Sequence, residues 1–264
     1  MFDKFEKKYI ITGKIKTTTA IHIGGSSNTF EPNGVDNVVL KDKNGYPFIP
    51  GSSLKGVLRS YLERVLKGIG REDVCTISKL CSEKYNSKEG KDKKWSEIEK
   101  TLTEDEKNNK QMILSKAIYD DLCEICHLFG SQVSAAKLMI RDSKVIKESF
   151  DGFEYRSGNA IDRDKNKTLK GALYEIEVVP ADTEFEFMAT LENPDDKDLK
   201  NTAFLIRSME EGDIFIGGNI SRGLGGFILK DIKIQYIDKN NIMDSIIRNE
   251  KKEISLEDFS EKIG

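Results

Sequence analysis

An apolar stripe that begins directly after a Pro-Gly break constrains the fold of this chain most strongly. In residues 45–59, GYPFIPGSSLKGVLR, an extended segment stops at Pro50-Gly51 and a helical pattern follows at once. Apolar residues then recur at the i, i+3, i+4 spacing of one buried helix face. This spacing predicts an amphipathic helix over 52–67, with Gly68 as its C-terminal cap. The stripe consists of Leu54, Val57, Leu58, Tyr61, Leu62, Val65 and Leu66.

The surrounding segments follow the two-residue alternation that is typical of strands. In residues 8–17, Tyr9, Ile11 and Ile15 alternate with polar residues, and residues 37–49 predict a hairpin that turns at Asn44-Gly45. Further strands are predicted at 137–146, at 183–193 and in FILKDIKIQYI, and a second helix at 197–211 with Asp195 or Asp196 as its cap. The order strand–helix–strand–strand–helix–strand predicts an α+β, ferredoxin-like (RRM-type) unit.

Length and patterning favour one large domain over residues 1–264. The predicted sheet and its helices, which we call the palm, comprise residues 8–67, 136–147 and 174–236. A polar, lysine-rich region at 68–135 is inserted into the palm. Residues 148–172 are polar and rich in turn residues, which predicts a protruding hairpin or loop, and the charged tail at 237–264 is expected to form a peripheral helix.

Composition leaves a nucleic-acid partner open. The net charge of −3 argues against one, but residues 1–67 carry a balance of +5 and residues 182–213 a balance of −7. One part of the molecule can therefore face phosphates while another stays acidic. No apolar run is long enough to cross a bilayer, and the N-terminus lacks a signal-peptide pattern, so we expect no membrane partner and a cytoplasmic localisation.

The start of the first helix is a candidate anion site. Ser52 and Ser53 lie where backbone N–H groups are unpaired and the helix dipole is positive, and Lys55 and Arg59 add charge. The simpler interpretation is an ordinary serine N-cap.

A second candidate is the glycine-rich segment GGNISRGLGG at residues 217–226. Five glycines in ten residues are costly in conformational entropy, which suggests a requirement for bare backbone. A loop on which a polyanion lies, with Ser221 and Arg222 reaching it, fits this pattern. A flexible turn is the alternative.

All four cysteines lie around the inserted region, as Cys75, Cys81, Cys123 and Cys126. Because disulfides are rare in the cytosol, a Cys-x-x-Cys pair suggests a metal site, and four thiolates would close a structural zinc site. His127 could replace one cysteine, and free thiols are the alternative.

Asp36, in NGVDNVV, is a weaker candidate by pattern alone. An aspartate near glycine is usually a turn residue, although it could also bind a divalent ion or orient a 2′-hydroxyl for phosphodiester cleavage.

Taken together, HIGGSSNTF, GVDNVVL, PFIPGSSLKGVLR, CxxCHLFG and GGNISRGLGG resemble the RAMP superfamily of CRISPR-associated proteins. The resemblance is greatest to the repeated backbone subunit of type III effector complexes and covers residues 8 to 236. It implies an RRM-like palm with an inserted finger region, which the cysteine pattern predicts to be stabilised by zinc, and a thumb at about 148–173. It also implies copies that stack along a CRISPR RNA, pairing of that guide with a complementary target RNA, and other type III effector subunits as partners.

The resemblance assigns roles to particular residues. Asp36 matches the aspartate that cleaves the target at regular intervals with Mg²⁺ or Mn²⁺. The implied RNA contacts are Ser52, Ser53, Lys55, Arg59, Arg156, Asn159, Arg163, Gly218, Ser221, Arg222, Gly223 and Gly225. A purely structural RNA-binding subunit is the alternative to this metal-dependent endoribonuclease, and a nuclease that trims the guide precursor through His22 is a third interpretation.

Overall fold

The computed structural model describes residues 4–25, 37–76, 81, 100–101, 103, 109–162, 167–248 and 251–261. The strands are β1 (Lys7–Thr17), β2 (Phe48–Ile49), β3 (Leu138–Ile140), β4 (Ser143–Lys144), β5 (Glu154–Asp162), β6 (Lys167–Val178), β7 (Glu184–Glu192), β8 (Phe227–Asp238) and β9 (Lys252–Ile254). The helices are α1 (Gly51–Gly68), α2 (Lys110–Asp120), α3 (Glu124–Phe129), α4 (Asp196–Glu211), α5 (Ile242–Ile247) and α6 (Leu256–Glu261).

The main sheet is antiparallel and mixed with helices, which confirms the α+β class. Its strands lie in the order β3-β7-β1-β8-β9. In β1 the predicted alternation holds, because Tyr9, Ile11 and Ile15 are all buried. The pairing of β1 with β8 shifts in register around Gly13, where a side chain would contact the carbonyl oxygen of Lys230. A glycine therefore permits this bulge.

Helix α1 buries a narrower stripe than its sequence predicts. Leu54, Leu58, Leu62 and Leu66 are buried, whereas the other apolar residues of the stripe are only partly covered. The prediction that Gly68 is the cap is wrong. Gly68 is the last helical residue, and the left-handed conformation with φ +86° belongs to Gly70.

Helix α4 follows its sequence closely. Asp195 caps it, since the Asp195 carboxylate accepts the Asp198 N–H at 2.9 Å and the Asp198 carboxylate accepts the Asp195 N–H at 3.0 Å. Gly212 ends the helix with φ +79°. The four residues predicted to face inward are all buried: Leu199, Ala203, Ile206 and Met209. Local capping and periodicity therefore determine this element.

Two segments that were predicted as strands, residues 37–49 and 137–146, form shorter strands than the sequence predicts. The turn at Asn44-Gly45 is present, and Gly45 has φ +82°, but the arms pair only through a bridge between Lys41 and Pro47. Residues 137–146 form two short strands, β3 and β4, and β4 pairs with β2 instead of continuing the main sheet. This break places Asp142 beside the start of α1.

The predicted thumb is an antiparallel hairpin of β5 and β6, and its second strand continues to Val178, beyond residue 173. The tail is more than a peripheral helix. Strand β9 extends the main sheet beside β8, and Phe259 is fully buried with its ring 5.1 Å from that of Tyr9. No helix in the described part of the chain has both the length and the apolar character of a membrane span.

Candidate nucleic-acid interface and metal centre

The start of α1 presents two serine hydroxyls, and a carboxylate from a distant segment accepts one of its backbone N–H groups. Its N-cap residue is Pro50, so neither Ser52 nor Ser53 is the capping residue. The Gly51 N–H donates instead to the Asp142 carboxylate at 2.8 Å. Ser52 is exposed and Ser53 half-buried, and neither hydroxyl has a hydrogen-bond partner within the described residues. The helix start thus offers hydroxyls to a ligand, but one of its backbone donors is occupied.

Lys55 lies one residue further along this turn. Its side chain is half-buried, and burial together with the charge of Arg59 lowers the pKa of its ammonium group. Lys55 forms no ion pair with the described residues, so its charge remains available to an anion such as a phosphate.

Arg59 has different surroundings from those that the sequence suggests. Its Nε donates to Glu63 at 2.8 Å and its Nη1 to the Gly130 carbonyl oxygen at 2.9 Å. Its Nη2 lies 3.6 Å from the sulfurs of Cys75 and Cys126. Although burial acts against the charge, the hydrogen bond to Glu63 raises the pKa of the guanidinium. Arg59 is therefore engaged with the inserted region, and Lys55 and Arg59 do not form one cationic face.

The four cysteines meet in one cluster. Their Sγ atoms all lie within 4.8 Å of one another, and Cys75, Cys123 and Cys126 are buried while Cys81 is half-buried. Zinc–thiolate bonds of ~2.3 Å in a tetrahedron separate the sulfurs by roughly 3.8 Å, so the spacing fits a four-coordinate ion. Hydrogen bonding with the sulfurs of Cys126 and Cys75 lowers the pKa of the Cys123 thiol. The cluster can hold a metal ion such as zinc.

His127 lies outside this cluster. Its Nε2 donates to the Tyr119 carbonyl oxygen at 2.7 Å, and its ring stacks on Tyr119 with centroids 4.2 Å apart. The suggestion that His127 replaces a cysteine has no support from this arrangement, because the ring is held by α2.

The glycine-rich loop uses most of its glycines for internal packing. A Cβ on Gly217 would lie 2.3 Å from the His22 carbonyl oxygen, and one on Gly225 2.6 Å from that of Ile216. The N–H groups of Gly218, Gly223 and Gly225 donate to the carbonyl oxygens of His22, Ile220 and Ala20 at 2.8, 3.0 and 3.0 Å. These three amides are thus not free donors, contrary to the expectation of bare backbone.

The side chains of this loop are accessible. Ser221 and Arg222 are both exposed, and the Arg222 Nη1 donates to the Tyr174 hydroxyl at 2.5 Å. Tyr174 belongs to β6, so the glycine-rich loop touches the thumb hairpin. Arg156 and Asn159 are exposed on the neighbouring strand β5. The glycine-rich loop therefore contacts the hairpin, and each of the two carries two exposed residues of the predicted RNA-binding set.

Asp36 and Arg163 lie outside the described residues. The residue after Asp36 is held firmly, because the Asn37 N–H donates to the Glu175 carbonyl oxygen at 3.3 Å and the Glu177 N–H donates to the Asn37 carbonyl oxygen at 2.9 Å. The segment that leaves Asp36 thus runs alongside the base of the thumb strand β6.

Sequence patterns missed the acid that holds this segment. The buried Glu177 carboxylate accepts the Val39 N–H at 2.9 Å and pairs with the Lys41 ammonium at 2.8 Å. A signal was present, since an acid within the apolar stretch EIEVV occupies a position that a strand buries.

Comparison with known proteins agrees with this geometry. The family model for the RAMP superfamily matches residues 14–228, which include β3, β7, α1, the cysteine cluster and the glycine-rich loop. The chain belongs to the RAMP superfamily. This RAMP protein is also similar to two archaeal proteins that are each named CRISPR system Cms endoribonuclease Csm3. The one from Methanocaldococcus jannaschii is 32% identical over 241 residues, which cover 86% of this chain and 80% of the relative. The one from Methanothermobacter thermautotrophicus is 27% identical over 262 residues, which cover 88% and 87%.

Proposed function

We propose that this RAMP protein is a CRISPR RNA-binding backbone subunit of a type III effector complex that cleaves guide-paired target RNA. The observation that carries the proposal is the similarity, over most of both chains, to relatives named as CRISPR endoribonucleases. The proposed partners are the guide RNA, the complementary target RNA, further copies of this chain in a filament and other type III subunits. We expect such a complex to act in the cytoplasm.

The surface features support binding of RNA by its sugar–phosphate chain. Ser52, Ser53 and Lys55 offer hydroxyls and one uncommitted cation at the start of α1, while Arg156 and Arg222 are exposed on the thumb and the glycine-rich loop. Contacts of this kind position a strand without reading its bases, which a guide of variable sequence requires. The glycines contribute by shaping the loop, because the amides of Gly218, Gly223 and Gly225 are engaged within the protein.

Asp36 is the proposed catalytic residue, with Mg²⁺ or Mn²⁺ as the proposed ion for cleavage. The carboxylate would help to orient the 2′-hydroxyl for attack on the adjacent phosphorus, which releases a 5′-hydroxyl and leaves a 2′,3′-cyclic phosphate. Asn37, the residue that follows Asp36 in the sequence, is held to β6 through both of its backbone hydrogen-bonding groups.

Two further proposals concern the topology of the palm and the identity of the metal at the cysteine cluster. The four palm strands are, in chain order, β1, β3, β7 and β8, and α1 and α4 are the helices that connect the first pair and the last pair. In the sheet these strands lie in the order β3-β7-β1-β8, that is, second, third, first and fourth. We infer that this palm is ferredoxin-like. We also propose that the four cysteines bind zinc and stabilise the inserted region.

The test uses the assembled complex, end-labelled complementary RNA and Mg²⁺ or Mn²⁺. We expect evenly spaced products with wild-type protein, and Asp36→Asn should abolish them while guide and target binding stay near wild type. Cleavage at the same positions by Asp36→Asn would refute the role of Asp36. If the wild-type complex binds target but never cleaves it, the subunit is structural.

A further inference from the structure

The guanidinium of Arg59 projects from the middle of α1 into the cysteine cluster. Its Nη2 lies 3.6 Å from each of two sulfurs, those of Cys75 and Cys126, which are 51 positions apart in the chain. The Arg59 side chain is only 21% exposed. The outer nitrogen of this largely covered side chain therefore lies beside two buried sulfurs.

The other two donor positions of this side chain fix its orientation. Nε donates to Glu63, one turn further along α1, and Nη1 donates to the Gly130 carbonyl oxygen, directly after α3. Glu63 is itself buried. A planar guanidinium that is held at two edges presents its third edge in one direction, which a flexible ammonium group cannot do.

This arrangement suits a thiolate–metal centre. Four thiolates around one divalent cation leave a doubly negative group, and burying that charge is costly unless a cation or hydrogen-bond donors compensate it. Arg59 supplies a positive charge and a hydrogen-bond donor to two of the four sulfurs, those of Cys75 and Cys126. Groups that donate to metal ligands from outside the coordination sphere commonly change metal affinity by 10–100-fold.

We propose that Arg59 is a positioning residue of the metal centre: it compensates the charge of the Cys75 and Cys126 thiolates and joins the centre to α1. The proposal rests on metal binding by the four cysteines. It removes Arg59 from the RNA-contacting set and leaves Lys55 as the cation of the helix start. It also connects the inserted region to the helix whose first turn carries Ser52 and Ser53.

The test measures metal affinity on the purified full-length chain without RNA, by competition between the protein and a chromophoric zinc chelator. Arg59→Met should lower zinc affinity by 10–100-fold. Arg59→Lys should lower it by less, because lysine keeps the positive charge but lacks the planar guanidinium with its several fixed N–H donors. Arg64→Met is the matched control. Arg64 is exposed on the same helix, with its guanidinium carbon 5.4 Å from the Tyr61 ring centroid, and its loss should leave zinc affinity unchanged.

A second readout uses Co²⁺, whose thiolate charge-transfer and d–d absorption reports the ligand field. The spectrum of Arg59→Lys should shift from that of wild type, whereas the Arg64→Met spectrum should superimpose on it. Wild-type affinity in both Arg59 variants would overturn the proposal, and so would a wild-type chain that binds no zinc. Neither result depends on RNA cleavage, so failure here and failure of the proposed function are separate outcomes.

Discussion

The imidazole of His22 donates through Nδ1 to the backbone carbonyl oxygen of Glu177, at 2.8 Å, in a buried position. The carbonyl oxygen of His22 accepts the Gly218 N–H in turn. Through its carboxylate, Glu177 also holds Val39 and Lys41. The loop after β1, the segment that follows Asp36, the thumb and the glycine-rich loop are thus joined at one point. A structural role accounts for His22 without assigning it to acid–base chemistry.

Replacing Glu177 should disturb this junction. Glu177→Gln keeps the volume but removes the charge that pairs with Lys41, and we expect the free energy of unfolding to fall by about 1–3 kcal/mol. Target cleavage should slow several-fold while guide binding changes little, because Asn37 is held by the same strand. Urea denaturation and single-turnover cleavage measure the two effects. Glu175→Gln, on an exposed side chain of the same strand, is the control. Equal effects of both variants would contradict the assignment.

Lys55 should contribute to guide affinity through charge. We expect Lys55→Ala to weaken binding of single-stranded guide RNA and to reduce the slope of log affinity against log salt by about 0.7, the value for one phosphate contact. Filter binding over a salt series measures the slope. Lys67→Ala removes an exposed cation in the last turn of the same helix and should leave the slope unchanged. An unchanged slope in Lys55→Ala would exclude the contact.

The metal centre should depend on cysteine and not on His127. Purified wild-type protein should contain about one zinc per chain, and Cys126→Ser should lose most of it, because a serine hydroxyl is a poor zinc ligand. His127→Ala should retain the metal, since the imidazole bonds to Tyr119. Elemental analysis after gel filtration measures the content. Metal loss in His127→Ala would show that the histidine is a ligand.

A buried ion pair at the edge of the main sheet should be important for stability. The Lys137 ammonium contacts the Asp198 carboxylate, and both side chains are buried. Although burial disfavours the charge, the hydrogen bond to Asp198 raises the pKa of Lys137. Lys137→Met leaves Asp198 without its cation, so the free energy of unfolding should fall by about 3–5 kcal/mol. Chemical denaturation checks this value, with the exposed Lys116→Met as control. A loss below ~1 kcal/mol would show that solvent replaces the pair.

Nearby residues determined the elements that the sequence predicts well. Helix α4 has its cap, its inward face and its terminating glycine within one continuous segment, and β1 carries its own alternation. The four cysteines are the only ones in the chain, so their grouping could be predicted from composition and spacing. Such features depend on short-range periodicity and residue chemistry, which the sequence displays directly.

The tertiary structure alone decided which partner each polar group takes. The sequence places Arg59 beside Lys55 on α1, but the fold brings Gly130, Cys75 and Cys126 to its guanidinium. Asp142 lies 91 positions from the Gly51 N–H that it accepts, and the amides of Gly218 and Gly225 donate to the carbonyl oxygens of His22 and Ala20. Phe259, from a tail expected at the periphery, fills the core against Tyr9. These contacts join segments that are distant in the chain, and they form only when burial of the apolar faces brings those segments together, so no local pattern encodes them.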